Sequence, residues 1–220
     1  MTKIKGILIV FTGIDGSGKT TLAKNLTLTL RKNNINAKYV YNTYRPLLLL
    51  PAISLARITL LRGKHMYNNP EGKRAQKIIR NRAVSNLYMY LVIFDYCFQT
   101  FFKVKIPLMF GKILICDRYV YDLVINFVAE LDLSVKEMKK LLAKLFYVLP
   151  KPDMVFLVDV NEEVAYKRKS DIPSKEFLAI RRSIYLSIAN QYEMEVLDGT
   201  KMLEKLQKDL KGAIFKCLRL

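Results

Sequence analysis

The chain has 220 residues, the size of one domain that can bury a substantial hydrophobic core. Hydrophobic residues make up 51% of the sequence, too large a fraction for an intrinsically disordered protein. Lysine and arginine number 37 against 19 aspartate and glutamate, so the net charge is +18. This excess favours nucleotides, nucleic acid or an acidic membrane surface as partners, or reflects only a solvated basic surface.

The composition also disfavours several classes of protein. The three cysteines, at positions 97, 116 and 217, form no CxxC motif, which indicates a reducing, cytoplasmic setting and no zinc site. His65 is the only histidine and lies in a polar stretch, so a Ser-His-Asp triad is not expected. The longest uncharged stretch, residues 83–94, is too short to span a bilayer, and no signal-peptide cleavage site is visible.

Apolar, β-rich runs alternate with helical patterns, which predicts a parallel sheet covered by helices on both faces. No repeat or linker is visible, so residues 1–220 are predicted to form one domain. The predicted strands are 6–12, 37–43, 112–117, 154–160 and 194–198. The predicted helices are 18–33, 47–61, 72–102 (whole or broken), 121–130, 134–148, 161–169, 174–192 and 200–217. Ser134 with Glu137, and Asn161, are predicted helix N-caps.

The first strand leads into GIDGSGKT, residues 13–20, which matches the phosphate-loop motif GxxxxGK[ST] between a strand and a helix. Glycines let the backbone turn its N–H groups toward phosphate oxygens, and the helix N-terminus adds partial positive charge. A plain turn is the alternative, but a chance match in a chain of this length is on the order of one per cent. Lys19 is expected to be an exposed side chain that reaches the outer phosphates of ATP. The predicted ATP-binding residues are Gly13, Asp15, Gly16, Ser17, Gly18, Lys19, Thr20 and Thr21.

A second acid is needed to hold Mg²⁺ beside such a loop, and KILICDRYVYD supplies one. Four apolar residues lead to Asp117 at the end of a predicted central strand, where a carboxylate can bind the ion directly or through water. Thr20 and Asp117 are therefore the predicted metal-binding residues. Asp159 ends a similar strand and is a weaker alternative.

Three segments, GIDGSGKTT, DRY and PDMVFLVDVNEEVAYKR, resemble the thymidylate kinases among the nucleoside monophosphate kinases. The similarity is clear in residues 6–31, 112–122 and 152–199. It implies a phosphate-loop NTPase fold, an α/β domain with a five-stranded parallel sheet flanked by helices and a short lid. It further implies that the chain transfers the γ-phosphoryl group of ATP to a nucleoside monophosphate, with dTMP as the expected acceptor, and that it acts as a homodimer.

The resemblance also assigns roles to matched positions. Asp15 would bind the 3′-hydroxyl of the acceptor, Arg45 its phosphate, and Arg118 the transferring phosphoryl group. The segment KRKSDIPSK, residues 167–175, is similar to a shortened lid. Because the phosphate loop contains no arginine, Arg168 is expected to neutralise charge in the transition state, although a solvated basic helix end is the alternative for its lysine neighbours. Lys19, Arg118 and Arg168 are thus the predicted catalytic residues.

The sequence departs from the family where an arginine, often in a DR pair, would read the thymine edge. Asp95 and Tyr96 stand there instead. Polar residues at helical spacing, from Asn81 to Gln99, predict one face that either lines the acceptor pocket or meets solvent. The pocket is the favoured interpretation, with Tyr88 stacking on the base. The predicted acceptor-binding residues are Asp15, Arg45, Tyr88, Asp95, Tyr96, Gln99 and Arg118.

Two alternatives stay open at this stage. The apolar segment PLLLLPAISLARITLL, residues 46–61, fits a core or dimer-interface helix, or a surface for a lipid-like acceptor or membrane. A lipid-facing surface would suit a kinase of the same fold with a different, membrane-associated acceptor. The other alternative is a non-catalytic nucleotide-binding module that uses its basic face to bind partners or nucleic acid. Sequence-specific nucleic-acid binding is not expected, because no RNA-binding signature is visible.

Overall fold

The computed structural model of the chain describes residues 6–50, 82–169 and 171–218. Five parallel strands form one sheet in the order β2-β3-β1-β4-β5. This arrangement confirms the predicted α/β fold with a five-stranded parallel sheet. The strands are β1 (Ile7–Thr12), β2 (Ala37–Tyr41), β3 (Ile113–Asp117), β4 (Met154–Asp159) and β5 (Glu195–Asp198).

Except for one helix of four residues, the described helices lie where periodic apolar residues predict them. In the described part of the chain they are α1 (Lys19–Lys32), α2 (Arg82–Thr100), α3 (Ile106–Met109), α4 (Val120–Leu131), α5 (Val135–Val148), α6 (Glu162–Arg168), α7 (Lys175–Ala189) and α8 (Leu203–Leu218). A π-helical turn, Phe101–Lys105, joins α2 to α3, so the long helix predicted to residue 102 is broken near its end. Of the predicted 47–61 helix, only 47–50 is described, as a turn ending in helical Leu50, and residues 72–81 also lie outside the described residues.

Both predicted N-caps are present. The Ser134 hydroxyl accepts from the Glu137 N–H while the Glu137 carboxylate accepts from the Ser134 N–H, which makes a complete capping box at α5. The Asn161 side chain accepts from the Glu163 N–H and begins α6.

Two apolar layers hold the helices on the sheet. On β1 the side chains alternate, so that Leu8 and Val10 face one layer while Ile9 and Phe11 face the other. Helices α1 and α8 pack on the second face, and α2, α4, α5 and α7 pack on the first. The helix after β1 and the helix after β3 therefore cover opposite faces. This reversal leaves a crevice beyond the carboxyl ends of β1 and β3, the usual ligand site of such sheets.

The described helices include none that combines the length and apolar character needed to cross a membrane.

Candidate active site

The phosphate loop lies at the carboxyl end of β1 and depends on glycine geometry. Gly16 has φ of 81° and Gly18 has φ of 94°, a region that side chains disfavour. A Cβ on Gly16 would stand 2.4 Å from the carbonyl oxygen of Ala165, so this position also has no room for a side chain. The close approach sets the loop directly against helix α6, whose last two residues begin the predicted lid.

Lys19 is buried, only 4% exposed, which corrects the expectation of an exposed side chain. Its Nζ donates to the Ile14 carbonyl oxygen at 2.7 Å because the loop folds around the first turn of α1. Burial, followed by the nearby Arg118 charge, lowers the pKa of Lys19 to about 8. The ammonium group thus lies inside the loop, where phosphate oxygens would approach.

Asp117, fully buried at the end of β3, has two carboxylate oxygens with different surroundings. Its Oδ2 accepts from Thr20 Oγ1 at 2.6 Å and from the Tyr39 hydroxyl at 2.9 Å. Its Oδ1 is buried and has no hydrogen-bond partner among the described residues. Because the Thr20 hydroxyl donates its proton to Asp117, the lone pairs of the Thr20 oxygen are free to bind a cation.

This donor set fits Mg²⁺, which prefers oxygen ligands and usually binds one or two protein groups together with nucleotide phosphates. Within the described ranges, no group of three or more His, Cys, Asp or Glu side chains could hold a metal ion without such a nucleotide. Asp159, the weaker alternative, is occupied, because its two oxygens accept from Arg182 at 2.7 and 2.9 Å.

Arg118 connects the phosphate loop to the helix that follows β3. Its Nη2 contacts Asp15, and its Nη1 donates to Asp122 at 3.0 Å. Burial lowers the pKa of Arg118, but the carboxylates of Asp122 and Asp15 outweigh this effect and raise it. For Asp15 the effects have the opposite signs. Burial raises its pKa, but the charges of Arg118, Lys19 and Lys169 outweigh burial and lower the pKa below its ordinary value. Both groups are therefore charged at neutral pH.

The phosphate loop, Arg118 and the end of α6 border a cleft of about 710 Å³. It brings together most of the predicted ATP-binding residues with Arg118 and Arg168. The residues that line it are Asp15, Gly16, Gly18, Lys19, Thr20, Thr21, Lys24, Tyr39, Tyr41, Arg118, Arg168 and Lys169.

Arg168, the last residue of α6, and Lys169, the residue that follows it, have different partners. Arg168 Nη1 donates to the Gly199 carbonyl oxygen at 3.1 Å, on the loop after β5. Lys169 Nζ lies 3.6 Å from Asp15 Oδ1, the oxygen that Arg118 also contacts. Lys169 is thus the lid cation whose charged group lies beside a carboxylate of the phosphate loop.

The remaining predicted acceptor-binding residues do not line this cleft. Asp95 is buried, and its carboxylate accepts from the Leu47 N–H at 2.8 Å and the Leu48 N–H at 3.3 Å. Gln99 Nε2 donates to Asp95 at 3.0 Å and to the Arg45 carbonyl oxygen at 2.7 Å. Both side chains therefore hold the segment after β2 against α2.

Tyr96, which stands where an arginine was expected, and Tyr88, a member of the polar stripe, have different surroundings. Tyr96 is buried and its hydroxyl accepts from Asn42 Nδ2 at 2.8 Å. Tyr88 is 42% exposed, so the stripe has both buried and exposed members. The guanidinium of Arg45 lies 5.6 Å from the ring centre of Tyr41, which lines the cleft. Contacts of these residues with an acceptor stay a prediction.

Several cleft residues were missed from the sequence. Tyr39 and Tyr41 alternate along β2, and this period-2 spacing could have placed them on the face toward the phosphate loop. Lys24 follows Thr20 by one helical turn and lies on the same side of α1. Asp122, which contacts Arg118 behind the cleft, had no sequence signal, because its partners come from three separate places in the chain.

Comparison with known proteins supports one assignment. The thymidylate kinase family model matches residues 59–210. A probable thymidylate kinase of Methanocaldococcus jannaschii is 29% identical over 95% of this chain and 96% of its own length. One from Sulfurisphaera tokodaii is 31% identical over 90% of each chain. A thymidylate kinase of Plasmodium falciparum is 26% identical over 97% of this chain and 92% of its own.

Proposed function

The chain belongs to the thymidylate kinase family of nucleoside monophosphate kinases, and we propose that it transfers the γ-phosphoryl group of ATP to dTMP. In this reaction a phosphate oxygen of dTMP attacks the γ-phosphorus, the bond to the β-phosphate oxygen breaks, and dTDP and ADP leave. The observation that carries the proposal is the meeting of Lys19, the Thr20–Asp117 pair and Arg118 at one end of the sheet.

Each of these side chains suits one task in phosphoryl transfer. Lys19, enclosed by the loop, would donate to the outer phosphates of ATP. Arg118 would donate to the transferring group, since a planar guanidinium can contact two oxygens at once. Thr20 and Asp117 would hold Mg²⁺, which supplies charge neutralisation at the phosphates when it is bound. Such an arrangement exceeds what a non-catalytic binding module needs.

The lid would complete the charge balance. Arg168 is the lid residue proposed from the sequence, and Lys169 adds a second cation beside Asp15. Both border the cleft, so either can approach a bound triphosphate. A lid cation acts in the transition state, where negative charge spreads over the transferring group.

On the acceptor side, Asp15 would bind the sugar 3′-hydroxyl, and Arg45 would bind the phosphate. We propose that Tyr88, Asp95, Tyr96 and Gln99 form or support the wall near the base. Because Tyr96 offers at most one hydroxyl where an arginine would offer a fork of donors, dUMP is expected to be a close competitor of dTMP.

The homodimer, the cytoplasmic location and a peripheral membrane contact also stay predictions. Sedimentation equilibrium, cell fractionation and liposome co-sedimentation, respectively, would test them.

The decisive experiment measures ADP formation with ATP, Mg²⁺ and a panel of nucleoside monophosphates. We expect the highest kcat/KM with dTMP and a rate with dUMP within about a hundredfold of it, because the methyl group alone adds little discrimination. Lys19→Ala should lower the rate about 10²–10³-fold, the loss typical of one charged donor. Lys32→Ala, at the exposed far end of α1, is the matched control and should behave as wild type. No phosphoryl transfer to dTMP by the wild type would overturn the proposal.

A further inference from the structure

Asp122, in the first turn of α4, is a buried carboxylate with no role in the function proposed above. Its Oδ2 accepts from Thr12 Oγ1 at 2.9 Å and from the Tyr119 N–H at 3.0 Å. Its Oδ1 accepts from the Tyr185 hydroxyl at 2.7 Å and from Arg118 Nη1 at 3.0 Å. Four donors fill the acceptor capacity of a carboxylate. Asp122 therefore has no free lone pair for a ligand and can act only through its partners.

Of these partners, only Arg118 reaches the cleft with a charged group. Its guanidinium is held at both ends, by Asp122 on the inner side and by Asp15 on the outer side. The two carboxylates differ in accessibility, since the Asp15 side chain is 32% exposed and that of Asp122 is 5% exposed. Asp15 also contacts Lys169. A phosphate can therefore compete for the outer nitrogen of Arg118, whereas the inner nitrogen stays on Asp122.

Asp122 is itself held in place by three elements of the fold. Thr12 ends β1, Tyr185 lies on α7, and Asp122 lies in the first turn of α4. Burial, and then the Asp122 charge, raise the pKa of Tyr185 well above its ordinary value, so its hydroxyl stays protonated and donates. The backbone of Arg118 is also constrained, with φ of 69° and its N–H donating to the Phe11 carbonyl oxygen at 2.9 Å. Backbone and side chain thus leave the guanidinium one orientation.

We propose that Asp122 is a positioning residue for phosphoryl transfer, which holds Nη1 of Arg118 so that Nη2 faces the transferring group. The inference rests on the proposed function and deepens it. Asp122 keeps Arg118 oriented before the nucleotides bind, so no reorganisation of this donor is needed in the transition state.

The test begins with Asp122→Asn, which keeps the shape but removes the charge that holds Arg118. We expect kcat to fall about 10–100-fold, as for other partners that orient a reacting group, while the KM for ATP changes much less. Asp132→Asn is the matched control, because it makes the same change at the exposed far end of the same helix. Equal loss in both variants, or a raised KM with kcat unchanged, would overturn the inference.

A double-mutant cycle separates positioning from a general structural role. If Asp122 acts through Arg118, the Asp122→Asn change should cost little further kcat in the Arg118→Ala background. A full additional loss in that background would show that Asp122 supports the site in some other way. Tyr185→Phe removes one of the hydroxyl groups that donate to Asp122, and it should give a smaller loss of kcat. This variant replaces Asp122→Asn in the test if Asp122→Asn folds poorly.

A spectroscopic measurement keeps this inference distinct from the proposed function. In ¹H–¹⁵N spectra of arginine side chains, the wild-type Arg118 Nη hydrogens should be resolved, because two carboxylates hinder rotation of the guanidinium. Asp122→Asn or Tyr185→Phe should broaden or average these signals. Unchanged signals in both would overturn the inference even if the kinase is active. A wild type that transfers nothing to dTMP but shows the expected spectra would overturn only the proposed function.

Discussion

At the scale of single residues, Arg168 and Lys169 are neighbours whose charged groups have different partners. Arg168 would have to leave the Gly199 carbonyl to reach a transferring phosphate, whereas Lys169 already lies beside Asp15. We therefore expect Lys169→Ala to lower kcat by about 10²-fold, as the loss of a charged donor does, and Arg168→Ala to lower it less. Steady-state kinetics with saturating dTMP would measure both.

The control for this comparison is Lys175→Ala, which removes the same charge from the other end of the lid. Lys175 pairs with Glu163 at 3.4 Å and does not line the cleft. A larger loss of kcat in Arg168→Ala, with Lys169→Ala near wild type, would mean that the Gly199 contact breaks during the reaction and that Arg168 is the lid cation.

Tyr39 is a second residue whose role can be isolated, because its hydroxyl donates to Asp117 Oδ2 at 2.9 Å. This bond and the one from Thr20 both use Oδ2, so Oδ1 is the oxygen that would bind Mg²⁺ in the proposed site. Tyr39→Phe should raise the Mg²⁺ concentration for half-maximal rate about tenfold, which corresponds to one hydrogen bond to a charged group. It should also weaken the rise in melting temperature that Mg²⁺ causes with ADP present.

Tyr147→Phe is the matched control for that change, since Tyr147 is 92% exposed and remote from the cleft. An unaltered Mg²⁺ requirement in Tyr39→Phe would show that Thr20 alone orients Asp117.

Residue-level geometry explains which parts of the site the sequence could predict. Lys19, Thr20 and Asp117 follow from motifs, because a local pattern places each at the end of a strand or the start of a helix. Asp122 does not, since Thr12 and Tyr185 reach it from 110 and 63 residues away. The motif alone also could not predict that Lys19 is buried, because burial depends on how tightly the loop folds around the side chain.

At the scale of elements, α2 holds the chain that leaves β2. Asp95 accepts three backbone N–H groups, from Leu47 to Leu49, and Gln99 contacts the carbonyl of Arg45. Asp95→Asn should therefore lower the free energy of unfolding by about 1–3 kcal/mol, the range for a disturbed buried hydrogen-bond network. It should also raise the KM for dTMP, because Arg45 lies on the segment that loosens.

The same side chain predicts a pH dependence. Burial raises the pKa of Asp95, but the backbone N–H groups outweigh it and hold the pKa below its ordinary value of 3.8. A carboxyl group whose pKa is lowered in the folded state stabilises the fold at neutral pH. This stabilisation is lost as the pH falls below the ordinary pKa and through the lowered one. The stability difference between wild type and Asp95→Asn, from urea unfolding, should thus be constant from pH 7 to 5 and shrink below about pH 4. A stability difference that grows as the pH falls would contradict this account. Asp132→Asn, which makes the same change at an exposed position, is the control.

Elements themselves were predictable where one pattern dominates. The buried strands are continuous apolar runs, and the helices repeat apolar residues every three or four positions, so strand and helix bounds differ from prediction by three residues or fewer at most ends. The polar residues of α2 share helical spacing, yet spacing alone could not tell a pocket wall from a support for the 45–49 segment. That distinction depends on which distant backbone groups meet the helix.

At the scale of the whole molecule, the net charge of +18 acts on the fold and on the substrate in opposite ways. Mutual repulsion among the cations destabilises the compact chain, whereas the same field attracts anionic nucleotides to the cleft. Salt screens both effects, with a Debye length of about 10 Å at 0.1 M. Raising NaCl from about 0.02 to 0.2 M should therefore raise the melting temperature while it lowers kcat/KM for ATP. Differential scanning calorimetry and initial rates at each salt concentration would measure the two trends. A kcat/KM that does not fall with salt would mean that the excess charge lies too far from the cleft to affect nucleotide binding, and that only local cations such as Lys19 and Arg118 matter.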